Sequence, residues 1–111
     1  MKWTIIYYNE NLQEWVDQMP VGIRAAYTKL TELLTDFGMD LRMPHSRPMG
    51  GGLFELRPKG KEGIARIFYC TMAGKQIVML HGFIKKTQET PNKESDIARR
   101  RMKEVKNAHR K

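Results

Sequence analysis

The chain has 111 residues with 41% hydrophobic and 9% aromatic content, which fits one globular domain with a single core (1–111) and excludes a disordered segment. No stretch approaches the ~20 apolar residues of a membrane span, the opening MKWTIIYYNENLQEW holds no signal-peptide core, and the lone Cys70 cannot close an internal disulfide, so a soluble cytoplasmic protein without membrane contact is expected. The net charge of +8 is unevenly spread: residues 1–40 hold three Lys/Arg against six Asp/Glu, residues 41–111 seventeen against six, and the second part therefore suits a polyanionic partner such as nucleic acid.

Lys2–Tyr8 (KWTIIYY) is β-branched and aromatic without a turn residue and predicts a strand. Asn9 then offers an N-cap, and Leu12, Trp15, Val16 and Met19 recur at i, i+3, i+4 and i+7, predicting a short helix that stops at Pro20. A second helix begins at Pro20, which suits a first turn, and keeps its apolar stripe through Ile23, Tyr27, Leu30, Leu34 and Phe37 until Gly38. Both stripes are expected core. Met39–Gly52 (MDLRMPHSRPMGGG), with two prolines and three consecutive glycines, reads as a loop. His45 and Arg47 are its ligand-contact candidates; the glycine run lacks GxGxxG or Walker spacing and does not argue for a nucleotide.

Leu53–Arg57, Ile64–Thr71 and Gln76–Ile84 predict three strands of an antiparallel meander. Cations stand inside and at the ends of these runs: Arg57, Arg66, Lys85 and Lys86, with His81 near the end of the last one, and Lys59 and Lys61 in the first connection. A two-residue turn at Ala73-Gly74 sets Arg66 opposite His81, and a connection centred between Lys61 and Glu62 sets Arg57 opposite Arg66. The three then form a row across one face. Thr90-Pro91 resembles an N-cap followed by Pro at the first helical position, opening a terminal helix to about Ala108. Its stripe is thin (Ile97, Met102, Val105, with Ala98 and Ala108) amid Arg99, Arg100, Arg101 and further lysines, so loose docking is expected. The order β-α-α-β-β-β-α predicts an α+β fold: an antiparallel sheet with a helical pair on one face and a basic C-terminal helix.

No HExxH, CxxC or clustered-Asp motif points to a metal or other cofactor, and neither Ser46 nor Ser95 sits in a nucleophile elbow. The remaining inventory of Arg, Lys, Tyr and His suits cleavage of an RNA strand by its own 2′-OH. That reaction needs a base for the hydroxyl proton, cations around the pentacoordinate phosphate and an acid for the leaving oxygen. Lys serves as base only when burial or neighbouring cations depress its pKa; His serves near neutrality without such help.

ELR at Glu55–Arg57, RIFY at Arg66–Tyr69 and LHGFIKKTQETP at Leu80–Pro91, followed by a basic helix, resemble the phage-derived HigB-like branch of the RelE/ParE toxin superfamily. The resemblance implies a RelE-like fold and the toxin of a toxin–antitoxin pair, an mRNA endonuclease working in the ribosomal A site. It implies as partners mRNA, the ribosome and an antitoxin, commonly a helix-turn-helix DNA-binding protein, in a toxin–antitoxin hetero-oligomer. It gives Arg66 the scissile phosphate, gives Lys85 and Lys86, with Lys86 preferred, the stabilising cation, and matches Arg57 to the family's ELR arginine. Lys59, Lys61, His45, Arg47, Arg99 and Arg100 are the expected RNA contacts. The chain departs from RelE where Phe54 and Glu55 replace the lysines beside the Leu-Arg pair, and no tyrosine follows Tyr69. His81, Lys59 and His45 are the alternatives for the missing proton-transfer group. Two further readings stay open: a ParE-like protein that binds and inhibits DNA gyrase, and a nucleic-acid-binding module without activity.

Overall fold

The computed structural model describes residues 2–42, 45–85 and 91–108. The elements are β1 (Thr4–Tyr7), α1 (Glu10–Asp17), α2 (Val21–Phe37), a 3₁₀ turn (Gly38–Asp40), β2 (Ser46–Gly50), β3 (Leu53–Leu56), β4 (Lys59–Gly60), β5 (Gly63–Met72), β6 (Gln76–Lys85) and α3 (Asn92–Ala108). Local chemistry accounts for the helix ends. The Asn9 side chain accepts from the Leu12 N–H at 2.8 Å, and Gly38 closes α2 at a φ of 52° that a side chain resists. Pro20 sits one residue ahead of α2 and caps nothing with its own side chain. That service comes from Glu62, between β4 and β5, whose carboxylate accepts from Gly22 N–H at 2.9 Å and Ile23 N–H at 3.2 Å. Those backbone donors, Gly22 first, hold the Glu62 carboxyl below its ordinary pKa.

The sheet runs β1-β6-β5-β3-β2, with β4 also paired to β5. β1 lies parallel to β6, whereas the β2–β3, β3–β5, β4–β5 and β5–β6 pairs are antiparallel. The expectation of a wholly antiparallel sheet is therefore corrected to a mixed one. After β1 the helical pair carries the chain to the far edge, and the strands then walk back until β6 ends beside β1 in the same direction.

The expected loop over Met39–Gly52 is also corrected, because Ser46–Gly50 is an edge strand on β3. Pro48 is tolerated there because an edge strand does not need every N–H. Gly50, Gly51 and Gly52, at φ of 91°, 64° and 89°, turn the chain back into β3. Ser46 Oγ and Tyr69 Oη, 2.5 Å apart and buried, fasten this edge to the core.

Two cores flank the sheet. Leu12, Val16, Met19, Ile23, Tyr27 and Leu34 of the helical pair pack on Leu56, Ala65, Ile67, Tyr69, Ile77 and Met79. On the opposite face Leu53, Phe68, Cys70, Val78 and Leu80 are covered by Ala98, Met102 and Val105 of α3. Of the expected α3 stripe only Ala98 is fully buried, while Ala108 is exposed. Thr90, the expected cap of α3, lies outside the described residues. Polar ties supplement the thin apolar seam: Arg101 Nη1 donates to Leu80 O at 2.8 Å and lies 4.5 Å over the Tyr8 ring, and Tyr8 Oη donates to Glu104 at 2.6 Å. Among the described residues no helix is long and apolar enough to cross a membrane.

Two measurements check this architecture. A Cβ on Gly60 would stand 2.4 Å from Ile23 N and 2.5 Å from Gly22 C, so Gly60→Ala forces the β4–β5 hairpin off α2. It should cost about 1–3 kcal/mol in urea unfolding; an unchanged midpoint would mean the contact has slack. Amides of α3 should exchange with solvent faster than those of β5 and β6, since few apolar side chains hold the helix.

Candidate nucleic-acid interface

Strand alternation sends Glu55 to the α3 face, along with Leu53, and Arg57 follows just past the end of β3. Leu56↔Ile67 and Lys59↔Ile64 flank Arg57 and Arg66 in one unbroken register, so these two arginines lie opposite one another, as the centred connection predicts. Arg47 faces Glu55 from β2. Lys85 ends β6 opposite Ile64, one alternation beyond Phe83, the partner of Arg66. The helix α3 covers the apolar part of this face. The charged part borders an open cleft of about 360 Å³ lined by His45, Arg57, Lys59, Ile64 and Arg66.

The row does not extend to His81. The β5–β6 turn uses three residues, Ala73, Gly74 and Lys75, with Gly74 and Lys75 at φ of 81° and 56°. A bulge then adds Leu80 between the Tyr69↔Met79 and Phe68↔His81 pairs. Each event shifts the register by one, so Arg66 meets Phe83 and His81 meets Phe68. His81 instead belongs to the docking of α3: its Nε2 lies 2.7 Å from Glu94 Oε1, and its ring stacks on Phe68 with 6.4 Å between centroids.

The other expected contacts divide. His45, Lys59, Arg57 and Arg66 meet at the cleft, and Arg47 and Lys85 act electrostatically on Arg66 or feel its charge. Lys61 is exposed at the hairpin tip, and Arg100 is exposed on α3. Arg99 is engaged with backbone, its Nη2 donating to Met49 O at 2.7 Å and Nη1 to Gly50 O at 3.1 Å, which ties α3 to the β2–β3 turn. Lys86 lies outside the described residues. A larger depression of about 490 Å³, lined by Ala25, Ala26, Thr28, Lys29 and Glu32 on α2, gathers no comparable set of cations.

Arg66 is 3% exposed and Glu55 fully buried, with 3.4 Å between Arg66 Nε and Glu55 Oε1. Arg66 Nη1 donates to Ala65 O at 3.0 Å. Burial first, then Arg57 and Arg47, lower the Arg66 pKa against the opposing pull of Glu55; an arginine nonetheless remains a cation near neutrality. Lys85 is lowered too, by desolvation first and then by Arg66, Arg57 and Arg47, with Glu55 again opposing. Glu55 is the site residue that reading the sequence missed; its one signal is a carboxylate between Phe54 and Leu56 in an apolar run.

The arrangement presents an open cationic surface of arginine and lysine with a histidine on its wall, on a small basic α+β domain of mixed sheet and three helices that is compatible with the RelE-like fold. The profile of the family described as Phage derived protein Gp49-like (DUF891) matches residues 14–103, and the chain belongs to that family, which is related to RelE- and HigB-like toxins. Among curated proteins none matches significantly in sequence.

Lys85 should titrate below the ordinary lysine value of 10.5, and Arg66→Met should move it back up by removing a neighbouring cation, as read from its side-chain NMR signals. Because the folded value lies below the unfolded one, Lys85 adds to stability as pH rises through its folded pKa towards 10.5. A Lys85 signal that titrates with the exposed lysines would remove it from the site.

Proposed function

We propose that the chain is the toxin of a type II toxin–antitoxin pair and acts as a ribosome-dependent mRNA endoribonuclease. The observation that carries this reading is the convergence of His45, Arg57, Lys59 and Arg66 at one open cleft, with Arg47 and Lys85 near enough to share its electrostatics. An RNA backbone laid along it meets cations from four strands and from the segment between β3 and β4. In the proposed reaction Lys85, with its pKa depressed, takes the proton of the 2′-OH. The 2′-oxygen attacks the adjacent phosphorus to give a 2′,3′-cyclic phosphate, while Arg66 and Arg57 stabilise the charge that builds on the equatorial oxygens. His45 gives a proton to the departing 5′-oxygen, a role suited to histidine near neutrality. In this scheme proton transfer and fixed cations carry every step. The antitoxin, proposed as a helix-turn-helix DNA-binding protein, silences the toxin in a hetero-oligomer in the cytoplasm.

The test is expression of the chain with and without its neighbouring gene, mapping of mRNA 5′ ends soon after induction, and cleavage assays on programmed ribosomes. Removing Arg66 should slow cleavage about 10²–10³-fold, or about 2.7–4 kcal/mol of transition-state stabilisation. Arg66→Ala also leaves the Glu55 carboxylate buried without that cation, so Arg66→Lys, which keeps the charge and loses the fork, is the folded control. Lys85→Arg, which keeps charge and removes the base, should slow cleavage at least about 10²-fold. Arg100→Ala should change chiefly the salt dependence of ribosome binding. Parental rates in both Arg66 variants would place the site elsewhere. Arrest of replication before translation would replace the nuclease with a gyrase-binding inhibitor.

A further inference from the structure

Glu55 stands where a hydrophobic side chain would be expected. It is fully buried, it lies between Phe54 and Leu56, and Leu53 on the same face packs under α3. A buried ion pair is poor evidence for stability, since well-packed apolar residues in place of both partners are often as stable or more so. The surroundings of Glu55 are what set it apart. Its Oε1 lies 3.4 Å from Arg66 Nε, Arg47 faces it from β2, and it sits among Arg57, Arg66 and Lys85 on the charged side of the sheet. Nη1 donates to Ala65 O, and Nε stands 3.4 Å from Glu55 Oε1 in a charge contact without hydrogen-bond geometry, so one hydrogen bond and one buried ion pair hold the Arg66 guanidinium at the edge of the cleft it lines.

We infer that Glu55 is a positioning residue for phosphate recognition: its buried carboxylate holds the Arg66 guanidinium in place by charge and keeps Arg47, Arg57, Arg66 and Lys85 gathered before an anion arrives. This rests on the cleft being the RNA site. Without Glu55 four like charges face one another and spread towards water, and the first anion to enter must then collect them. With it, the cations are arranged in advance and an incoming phosphate adds its charge to a partly balanced group. Glu55 does not touch the substrate in this scheme, because it is fully buried and is not among the residues lining the cleft. It also bears on the base. The groups acting on Lys85 are Arg66 from β5, Arg57 and Glu55 from β3 and its extension, and Arg47 from β2, and of these Glu55 alone favours the protonated amine.

The experiment compares Glu55→Gln, Glu55→Asp and Glu55→Leu with the parent. Glu55→Gln should lower kcat about ten- to hundredfold with little change in KM, since the arginine is misaligned rather than removed. It should also move the base limb of the pH–rate profile to lower pH, because the charge that supports protonated Lys85 is gone. Glu55→Asp should recover much of kcat and return the limb. Glu55→Leu leaves Arg66 buried without that carboxylate, so it should melt below Glu55→Gln yet cleave at a similar rate, which separates positioning from stability. The proposal is overturned if Glu55→Gln cleaves within about twofold of the parent with an unmoved limb, or if activity follows melting temperature across the three variants. NMR titration of Lys85 in the free protein keeps the two readings apart. A lower Lys85 pKa in Glu55→Gln supports the gathering role even if the parent cuts no RNA, and an unmoved value overturns it whether or not RNA is cut.

Discussion

The contact between Arg66 and Glu55 is the constraint on which the charged half of the sheet depends. Two unit charges 4 Å apart interact by about 4 kcal/mol at the effective dielectric of a protein surface, so cations from neighbouring strands cannot share one face unless something offsets them. Solvent offsets exposed ones. Arg66 is 3% exposed and lacks that recourse, and the carboxylate 3.4 Å away supplies it. Desolvation is still the largest influence on both Arg66 and Lys85, which shows that Glu55 compensates only in part. In the proposed function the remainder favours an anion in the cleft. A surface that balanced its charges fully would bind phosphate less well.

The walls of the cleft are held by contacts remote from it. Glu62 reaches from the β4–β5 connection to the open N–H groups of α2, and Gly60 permits the backbones to touch. The extension that carries Arg57 and Lys59 is thereby braced against a long helix. On the opposite wall Ser46 is fastened to Tyr69 beneath β2, which sends its neighbour Arg47 to the other face. The Arg99 guanidinium grips the carbonyls of Met49 and Gly50 and steadies the same edge strand from α3. A basic helix with little apolar surface thus spends part of its charge on docking, and Arg99 and Arg101 are structural before they are anything else.

Helices and meander strands were legible because each carries a local signal: the stripe from Ile23 to Phe37, the apolar β-forming run around Phe68 bounded by turn residues, the cap at Asn9. The Arg57–Arg66 pairing was legible as well, since the β3–β5 connection is symmetric about Lys61 and Glu62. Three things were not. Pro48 beside three glycines has the composition of a loop, and only pairing with β3 makes it a strand. The bulge at Leu80 has no local signature; it answers to a distant donor, the Arg101 guanidinium that takes its carbonyl. That bulge, with the longer turn at Ala73–Lys75, is what moved His81 out of the expected row and into the seam with Glu94. Glu55 was visible only as a departure from the RelE pattern, because the value of a buried charge depends on partners from other strands.

The departure and the proposed base are connected. In the RelE pattern lysines flank the Leu-Arg pair and one of them supplies the base, so two functions, taking a proton and holding phosphate, sit on one strand. Here that strand offers Phe54 and Glu55 instead. A carboxylate at this position is incompatible with a lysine base beside it, since it would hold the amine protonated. The proposed base is placed at the end of β6, where desolvation and three arginines outweigh the same carboxylate and push Lys85 down. With the amine on another strand, Glu55 stands 3.4 Å from Arg66, where a permanent cation is wanted, and the proposed base Lys85 keeps a net lowering despite the same carboxylate. The direction of the two shifts fits the proposed roles: both are lowered, but an arginine so lowered remains charged near neutrality, whereas a lysine lowered from 10.5 moves towards the range in which it can take a proton. One buried carboxylate can serve both requirements only because guanidinium and ammonium start so far apart.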